Sequence, residues 1–387
     1  MELFVQVGYD ALDTGDGGIG GENDPARHRE IAKKLAPTFS MKNFRAKEAA
    51  IQTHIDLFVQ RMKEHGGGEK GVDMESWSDW LGLDLSADLT YSLDMSQMRD
   101  MKSSVLLINC LKLNLFATLS QITRKIRLLT PVMYLCIPPS VLLAMPKLIK
   151  MNKQDVMLRI ERQGKTEHLD YFEQLVPADK PAPVDKKEIY HLQNVSGQVM
   201  IAGWQPVANQ YYSLLLFLLG EPDAYAALVD EIRTGFADYD DIKIETVTNL
   251  KYLNACAQES LRPHSATADG LPRVGLFAAA RHPRYFTDPL KFRPERWLSP
   301  DHPRYDPRYK DDSLKASKPF SQEPRGCPGA VIASVVIRLF VAKVLWGFDL
   351  EAVAGRNGLP VFERDFTVMA FWKLPPFYVR FKPVERK

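Results

Sequence analysis

Pro319-Phe320-Ser321-Gln322-Glu323-Pro324-Arg325-Gly326-Cys327-Pro328-Gly329 runs straight into an apolar stretch that begins at Ala330. A cysteine at a helix N-terminus meets the positive end of the helix dipole and free backbone N–H groups, and Arg325 stands close before it. All three favour thiolate, the form that ligates metal. Taken alone, Cys327 also reads as a small buried residue in a tight loop. Its company upstream turns the reading towards chemistry.

Glu259-Ser260-Leu261-Arg262 places an acid and a base on one helical face, by itself an ordinary surface pair. Phe292-Arg293-Pro294-Glu295-Arg296-Trp297 follows, with a second arginine able to fork onto the same carboxylate. The order Glu-x-x-Arg, then Phe-x-Pro-Glu-Arg-Trp, then Phe-x-x-x-x-Arg-x-Cys-x-Gly is very specific. At this point the sequence resembles the cytochrome P450 family, the haem-thiolate monooxygenases, and most of all the membrane-associated fungal enzymes of secondary metabolism. The resemblance covers nearly the whole chain, from the helix at His28 to the region of Trp372-Lys373-Leu374-Pro375-Pro376.

The resemblance implies a mainly α fold with small β-sheets, a P450-like fold with parts missing, and haem b held through iron by the Cys327 thiolate. It implies that Phe320 shields the sulfur, that Arg325 and Arg273 hold haem propionates, and that Gly329 lets the following helix approach the porphyrin. Glu259, Arg262 and Arg296 become a buried ion-pair lock behind the haem. The implied partners are a lipophilic small-molecule substrate such as a polyketide or terpenoid intermediate, dioxygen, and a separate NADPH-dependent P450 reductase. The implied place is the cytosolic face of the endoplasmic reticulum membrane.

Several positions depart from that pattern. On the distal helix, where the family has Ala-Gly-x-acid-Thr-Thr, the chain reads Ala202-Gly203-Trp204-Gln205-Pro206-Val207, so the acid and hydroxyl that relay protons to bound dioxygen are replaced by Gln205 and Pro206. Such relays contribute about 10²–10⁴ in rate. Glu323 stands where the cysteine loop has a glycine, and His28 and Ala32 take the places of a Trp-x-x-x-Arg propionate contact, leaving Lys33 and Lys34 nearby. The chain is also shorter than the family between Arg273 and Phe277–Arg281, and the N-terminal anchor, first helix and first strands are expected to be missing. These losses leave two further readings open: an isomerase or dehydratase of the same fold that needs no dioxygen activation, and an inactive, truncated, membrane-associated protein.

Composition narrows the alternatives. The 387 residues carry 50 Lys+Arg against 48 Asp+Glu, a formal charge of +2 that offers no argument for nucleic acid as a partner. With 45% hydrophobic and 25% charged residues the chain folds rather than staying disordered. Cys110, Cys136, Cys256 and Cys327 are scattered and form no CxxC pair, which fits a reducing compartment or cytosolic face. No HExxH, GxSxG or Walker sequence is found, and Gly15-Asp16-Gly17-Gly18-Ile19-Gly20 reads as a flexible loop because an acid sits where a pyrophosphate would.

The hydrophobic pattern predicts helices over His28–Phe39, Glu48–His65, Met74–Tyr91, Asp155–Val176, Glu221–Phe236, Thr246–Leu261 and Gly329–Trp346, with strands near Thr367–Trp372 and Phe377–Phe381. Pro272–Pro307 is expected to be irregular. Val199–Gly220 lacks charge and reads as a buried central helix, since Gln205, Asn209 and Gln210 are more polar than lipid tolerates. Leu128–Met145 also lacks charge, but Pro131, Pro138 and Pro139 break any spanning helix. It is expected to be either an apolar patch dipping into a membrane or an ordinary packed loop. With no repeat and no linker, residues 1–387 are expected to form one domain without an N-terminal anchor region.

Overall fold

Asp24 accepts the backbone N–H of Ala26 through its carboxylate and so caps the first long helix, and Pro25 sits where a missing N–H costs nothing. In the computed structural model, which describes residues 16–22, 24–265, 274–322, 325–353, 358–369 and 371–385, the longer helices follow in chain order. They are α1 (Pro25–Leu35), α2 (Glu48–His65), α3 (Met74–Tyr91), α4 (Val105–Lys125), α5 (Ala144–Glu161), α6 (Lys186–Gly220), α7 (Pro222–Gly235), α8 (Lys251–Leu261) and α9 (Ala330–Gly347). The strands are β1 (Val72–Asp73), β2 (Phe348–Val353), β3 (Thr367–Val368), β4 (Trp372–Lys373) and β5 (Tyr378–Pro383). The protein is mainly helical with small sheets.

The residues sort into two compact units, one from 1–50 and 82–205 and the other from 51–81 and 206–387. In the first, α4 packs against α5 and against the single turn Pro139–Leu142. A buried cluster ties its lower part together: Arg159 donates to Asp170 at 2.6 Å and to Glu173 at 2.8 Å. The glycine-rich segment is not loose. Gln198 of α6 accepts from the Gly20 N–H at 2.7 Å and donates to the Gly17 carbonyl at 2.8 Å, while His191 meets Asp16 at 2.7 Å. A Cβ on Gly18 would fall 2.6 Å from the Gln198 amide, so these glycines serve close packing on a helix; Gly15 lies outside the described residues.

In the second unit β5 is central, pairing antiparallel with β1 (Val72↔Val379) and β2 (Phe348↔Pro383 to Val353↔Tyr378), and β3 pairs with β4. Ile51, Ile55, Phe58 and Met62, one face of α2, are fully buried, and Phe58 meets Trp77, Phe340 and Phe381 edge-on. Helix α9 is long and apolar enough to cross a bilayer, yet 61% of it is buried inside the unit, where Leu339, Phe340, Val344 and Leu345 form the core. Tyr211, Tyr212, Leu214, Leu215 and Leu218 of α6 are likewise buried, in line with the central-helix reading of Val199–Gly220.

Four local expectations fail. The helix expected over Asp155–Val176 ends at Glu161, because Gly164 takes a left-handed φ of 68° and turns the chain away. The segment expected to be helical from Thr246 is one turn, Ile244–Val247, then a break before α8. The Pro-rich region, taken as irregular, contains the helix Val274–Ala280. Helix α4 and strand β2 fall outside the expected elements, although Phe348-Asp349-Leu350-Glu351 alternates with strand period and Ile108, Leu111, Leu115 and Leu119 recur at helical spacing.

Candidate active site

The cysteine loop is closed by its own backbone. The N–H of Cys327 donates to the carbonyl of Phe320 at 2.8 Å, and that of Arg325 donates to Gln322 at 3.1 Å. Ser321, the residue between these contacts, holds a left-handed φ of 61°, an uncommon conformation for serine that the closing bond sustains. Cys327 itself is exposed, three residues before α9 begins, and the Gly329 N–H points at its sulfur. The sequence expectation that all local charge favours thiolate is corrected here. Surrounding protein desolvates the thiol and pushes its pKa up, and the Gly329 N–H recovers only part of that. Ligation by a cation would reverse the balance, since a coordinating thiol is deprotonated outright.

Packed in the same unit is a buried ionic cluster. Glu259, at the end of α8, takes a two-pronged bond from Arg262, with Nε at 2.9 Å and Nη2 at 2.8 Å. Arg296 reaches the same carboxylate through Nε at 3.1 Å, and the Arg293 backbone N–H adds a contact at 2.9 Å. Arg262 spends its remaining N–H groups on the carbonyls of Ala280, Pro289 and Lys291. Arg296 also pairs with Asp312, whose side chain is buried, and donates to the carbonyl of Thr287. Two arginines thus face two carboxylates, and the cluster closes neutral, which is what removal of so much charge from water requires. The structure brings Glu259, Arg262 and Arg296 together as the sequence expected, and adds Asp312 and the Trp297 indole, which donates to Glu259 at 2.8 Å. Trp297 stood in the quoted motif without a role; for Asp312 no local signal existed.

A family model for cytochrome P450 matches residues 11–276 and 273–381, almost the whole chain. This chain belongs to the cytochrome P450 family. Its relatives include "Cytochrome P450 monooxygenase TwmD" of Talaromyces wortmannii, 39% identical over 386 residues, which are 95% of this chain and 75% of that protein. "Cytochrome P450 monooxygenase btcC" of Colletotrichum orbiculare is 30% identical over 397 residues, 97% of this chain and 75% of its own length. "Cytochrome P450 monooxygenase BOA3" of Botryotinia fuckeliana is 29% identical, with 94% and 74% covered. Membership makes this cytochrome P450 an oxidoreductase, of a family built on haem iron and a cysteine thiolate. The family match comes in two pieces that overlap at 273–276.

The residues of this P450 fit a haem. Among the described residues no group of three or more His, Cys, Asp or Glu could hold a bare metal ion. A haem would need a protein donor for its iron, and Cys327 could offer a sulfur that already accepts one backbone N–H. Arg325 is half-buried on the same loop and Phe320 is half-buried at its other end. All four cysteines, Cys110, Cys136, Cys256 and Cys327, are free thiols.

The other expected positions divide between the units. His28 lies half-buried on α1 in the first unit, with Lys33 and Lys34 exposed beyond it. Arg273 and Glu323 lie outside the described residues. Gln205 is buried on α6 and closes the first unit, and Pro206 opens the second. Helix α6 runs through Pro206 without ending, so the proline removes one N–H from the ladder and leaves the helix intact. One turn earlier, Gly203 admits Ser86: a Cβ there would lie 2.5 Å from the Ser86 hydroxyl, which donates to the Met200 carbonyl at 2.6 Å.

A second buried polar group was missed from sequence. His264, just after the ion cluster, is fully buried, its Nδ1 bonded to the Ser213 hydroxyl, its carbonyl accepting from Gln210 at 2.7 Å. Phe362, Phe366 and Trp372 surround the ring at 5.0–5.3 Å between centroids. Burial, helped by the charge of Arg281, lowers its pKa from 6.5 to about 3, so the ring is neutral.

Proposed function

We propose that this chain is a haem-thiolate monooxygenase that oxidises a lipophilic small molecule, such as a polyketide or terpenoid intermediate, using dioxygen and electrons from a separate NADPH-dependent reductase. The observation that carries the reading is Cys327, on a loop closed on Phe320, with its sulfur contacted by the Gly329 N–H. In this reading Cys327 would hold the haem iron, Phe320 would shield its sulfur, and Gly329 would leave room for the group beside α9. Arg325 and Arg273 would hold propionates. Haem so bound supplies the chemistry of dioxygen reduction. The chain's own residues hold the sulfur, exclude water from it and, through the neutral ion cluster, fix α8 against the segment that precedes the loop. The same reading places the protein at the cytosolic face of the endoplasmic reticulum membrane.

The test is the reduced, carbon-monoxide difference spectrum of the full chain purified with haem, beside Cys327→Ala. A thiolate-type Soret band in the parent, lost in the variant, is the expected result. A folded chain that takes up no haem would overturn the reading.

Gln205 and Pro206, in place of an acid and a hydroxyl, favour a second reading: an isomerase or dehydratase of the same fold. Product formation with and without NADPH separates the two, because only the monooxygenase consumes external electrons.

A further inference from the structure

We infer that the chain between α5 and Phe172 carries a proton-operated latch: protonated His168, closed on Asp88 of α3, holds residues 166–169 down, and loss of that proton releases them. All the residues involved lie in the first unit.

Little else holds the segment. Thr166, Glu167, His168 and Leu169 belong to no helix or strand, and among the described residues their N–H groups donate to no backbone carbonyl. Burial does not fix it either, since Glu167 and Leu169 both face water. Its two ends, by contrast, are anchored. On one side the Lys165 N–H returns to the Arg162 carbonyl at 2.9 Å, and Arg162 donates to the Ser92 carbonyl at 3.0 Å. On the other, Asp170 takes Arg159 and the Ser92 hydroxyl, and the Tyr171 N–H donates to the Leu89 carbonyl at 2.7 Å. Between these anchors, among the described residues, the tie is His168 Nε2 to Asp88 Oδ1 at 2.7 Å. A short stretch tied once between fixed ends opens as a local unit when that tie breaks. The surroundings stay in place, because the Tyr91 hydroxyl of α3 separately meets Asn152 of α5 at 2.9 Å and Ser196 of α6 at 3.0 Å.

Charge sets the strength of the tie. Both side chains are four-fifths buried, and Asp88 stands in the last turn of α3, where the free carbonyls of the helix end also favour a cation. While the ring is protonated the bond is charge-assisted, roughly twice as strong as the bond a neutral ring makes. Asp88 faces the ring from α3, and Asp170 faces it from its own segment. Asp170 shares its charge with Arg159 and, at longer range, with Lys47, while Arg162 is turned to Ser92. The bond to Asp88 does most to hold the imidazole above its ordinary 6.5; burial opposes it, and the charges of Asp88 and Asp170 add to it. The folded chain thus keeps this proton longer than the unfolded one. The hold is complete below pH 6.5 and is lost as pH rises through the folded value.

Two measurements on the full chain test the latch. In protein labelled at histidine, with His168 assigned by its absence from His168→Gln, NMR titration should place its pKa above 6.5 in the parent and lower in Asp88→Asn. Amide exchange at Tyr171, corrected for intrinsic pH dependence, should show opening about tenfold more frequent at pH 9 than at pH 6, the scale of charge assistance to one hydrogen bond. His168→Gln should lose that difference. The Lys47 amine, lowered to about 8 mainly by burial, titrates in the same range, and His168→Gln retains it as the control. Equal opening at both pH values in the parent, a reading that needs no variant to fold, overturns the inference. So does a His168 that titrates at or below 6.5, or a pH difference that His168→Gln keeps in full. Neither readout involves haem, so failure of the proposed activity and failure of the latch are separate results.

Discussion

Trp297 donates its indole N–H to Oε2 of Glu259 at 2.8 Å, on a carboxylate that already holds both Arg262 and Arg296. The acid is thus saturated from several sides in a place water does not reach. With Asp312 on Arg296, each buried charge has an opposite neighbour, and the loss of any member strands another.

Glu259→Gln should therefore destabilise the fold by about 3–5 kcal/mol, because it leaves two buried guanidiniums against one carboxylate. Asp312→Asn should cost a similar amount, and Trp297→Phe about 2 kcal/mol for one hydrogen bond to a charged group. Urea midpoints read these changes. Equal stability of Asp312→Asn and the parent would show that Arg296 is satisfied by Glu259 alone.

His264 sets an acid limit. Its folded pKa of about 3 lies below the ordinary 6.5, so the unfolded chain binds the extra proton first. Its contribution is complete above the unfolded value and is lost as pH falls from 6.5 towards 3. Between pH 7 and pH 5 the loss amounts to about 2 kcal/mol. His264→Gln should flatten that part of the stability–pH curve; an unchanged slope would place the acid sensitivity elsewhere.

Gly203 and Ser86 form a steric pair. Gly203→Ala should cost about 1–2 kcal/mol, since the new methyl displaces the Ser86 hydroxyl from the Met200 carbonyl. Ser86→Ala beside it should recover most of the loss, as the remaining Ser86 Cβ stands at an ordinary 3.5 Å. A double variant as unstable as the sum of its parts would contradict the contact.

The distal pair bears on coupling. Gln205→Asp with Pro206→Thr supplies the missing acid and hydroxyl and returns one N–H to α6. Product formed per NADPH consumed should rise, with turnover gaining up to about 10²-fold, the lower end of what a proton relay contributes. No change in that ratio would favour the isomerase reading.

Sequence by itself determined the class and the family, because the motifs that carry them are short and ordered along the chain. Glu259 and Arg262 lie three apart at the end of α8 and Cys327 precedes an apolar helix, whereas Arg296, 37 residues from Glu259, was joined to them through the family resemblance. The bounds of α2 and α3 were legible for the same reason: Ile51, Ile55, Phe58 and Met62 repeat at helical spacing, and Gly66 follows the last turn. Only tertiary structure decided that Asp312 completes the charge balance, that Ser213 meets His264, that the glycine segment docks on Gln198, and that the Cys327 thiol is desolvated rather than favoured. Each depends on groups far apart in the chain, and on how much water the intervening protein displaces, quantities that no residue spacing encodes.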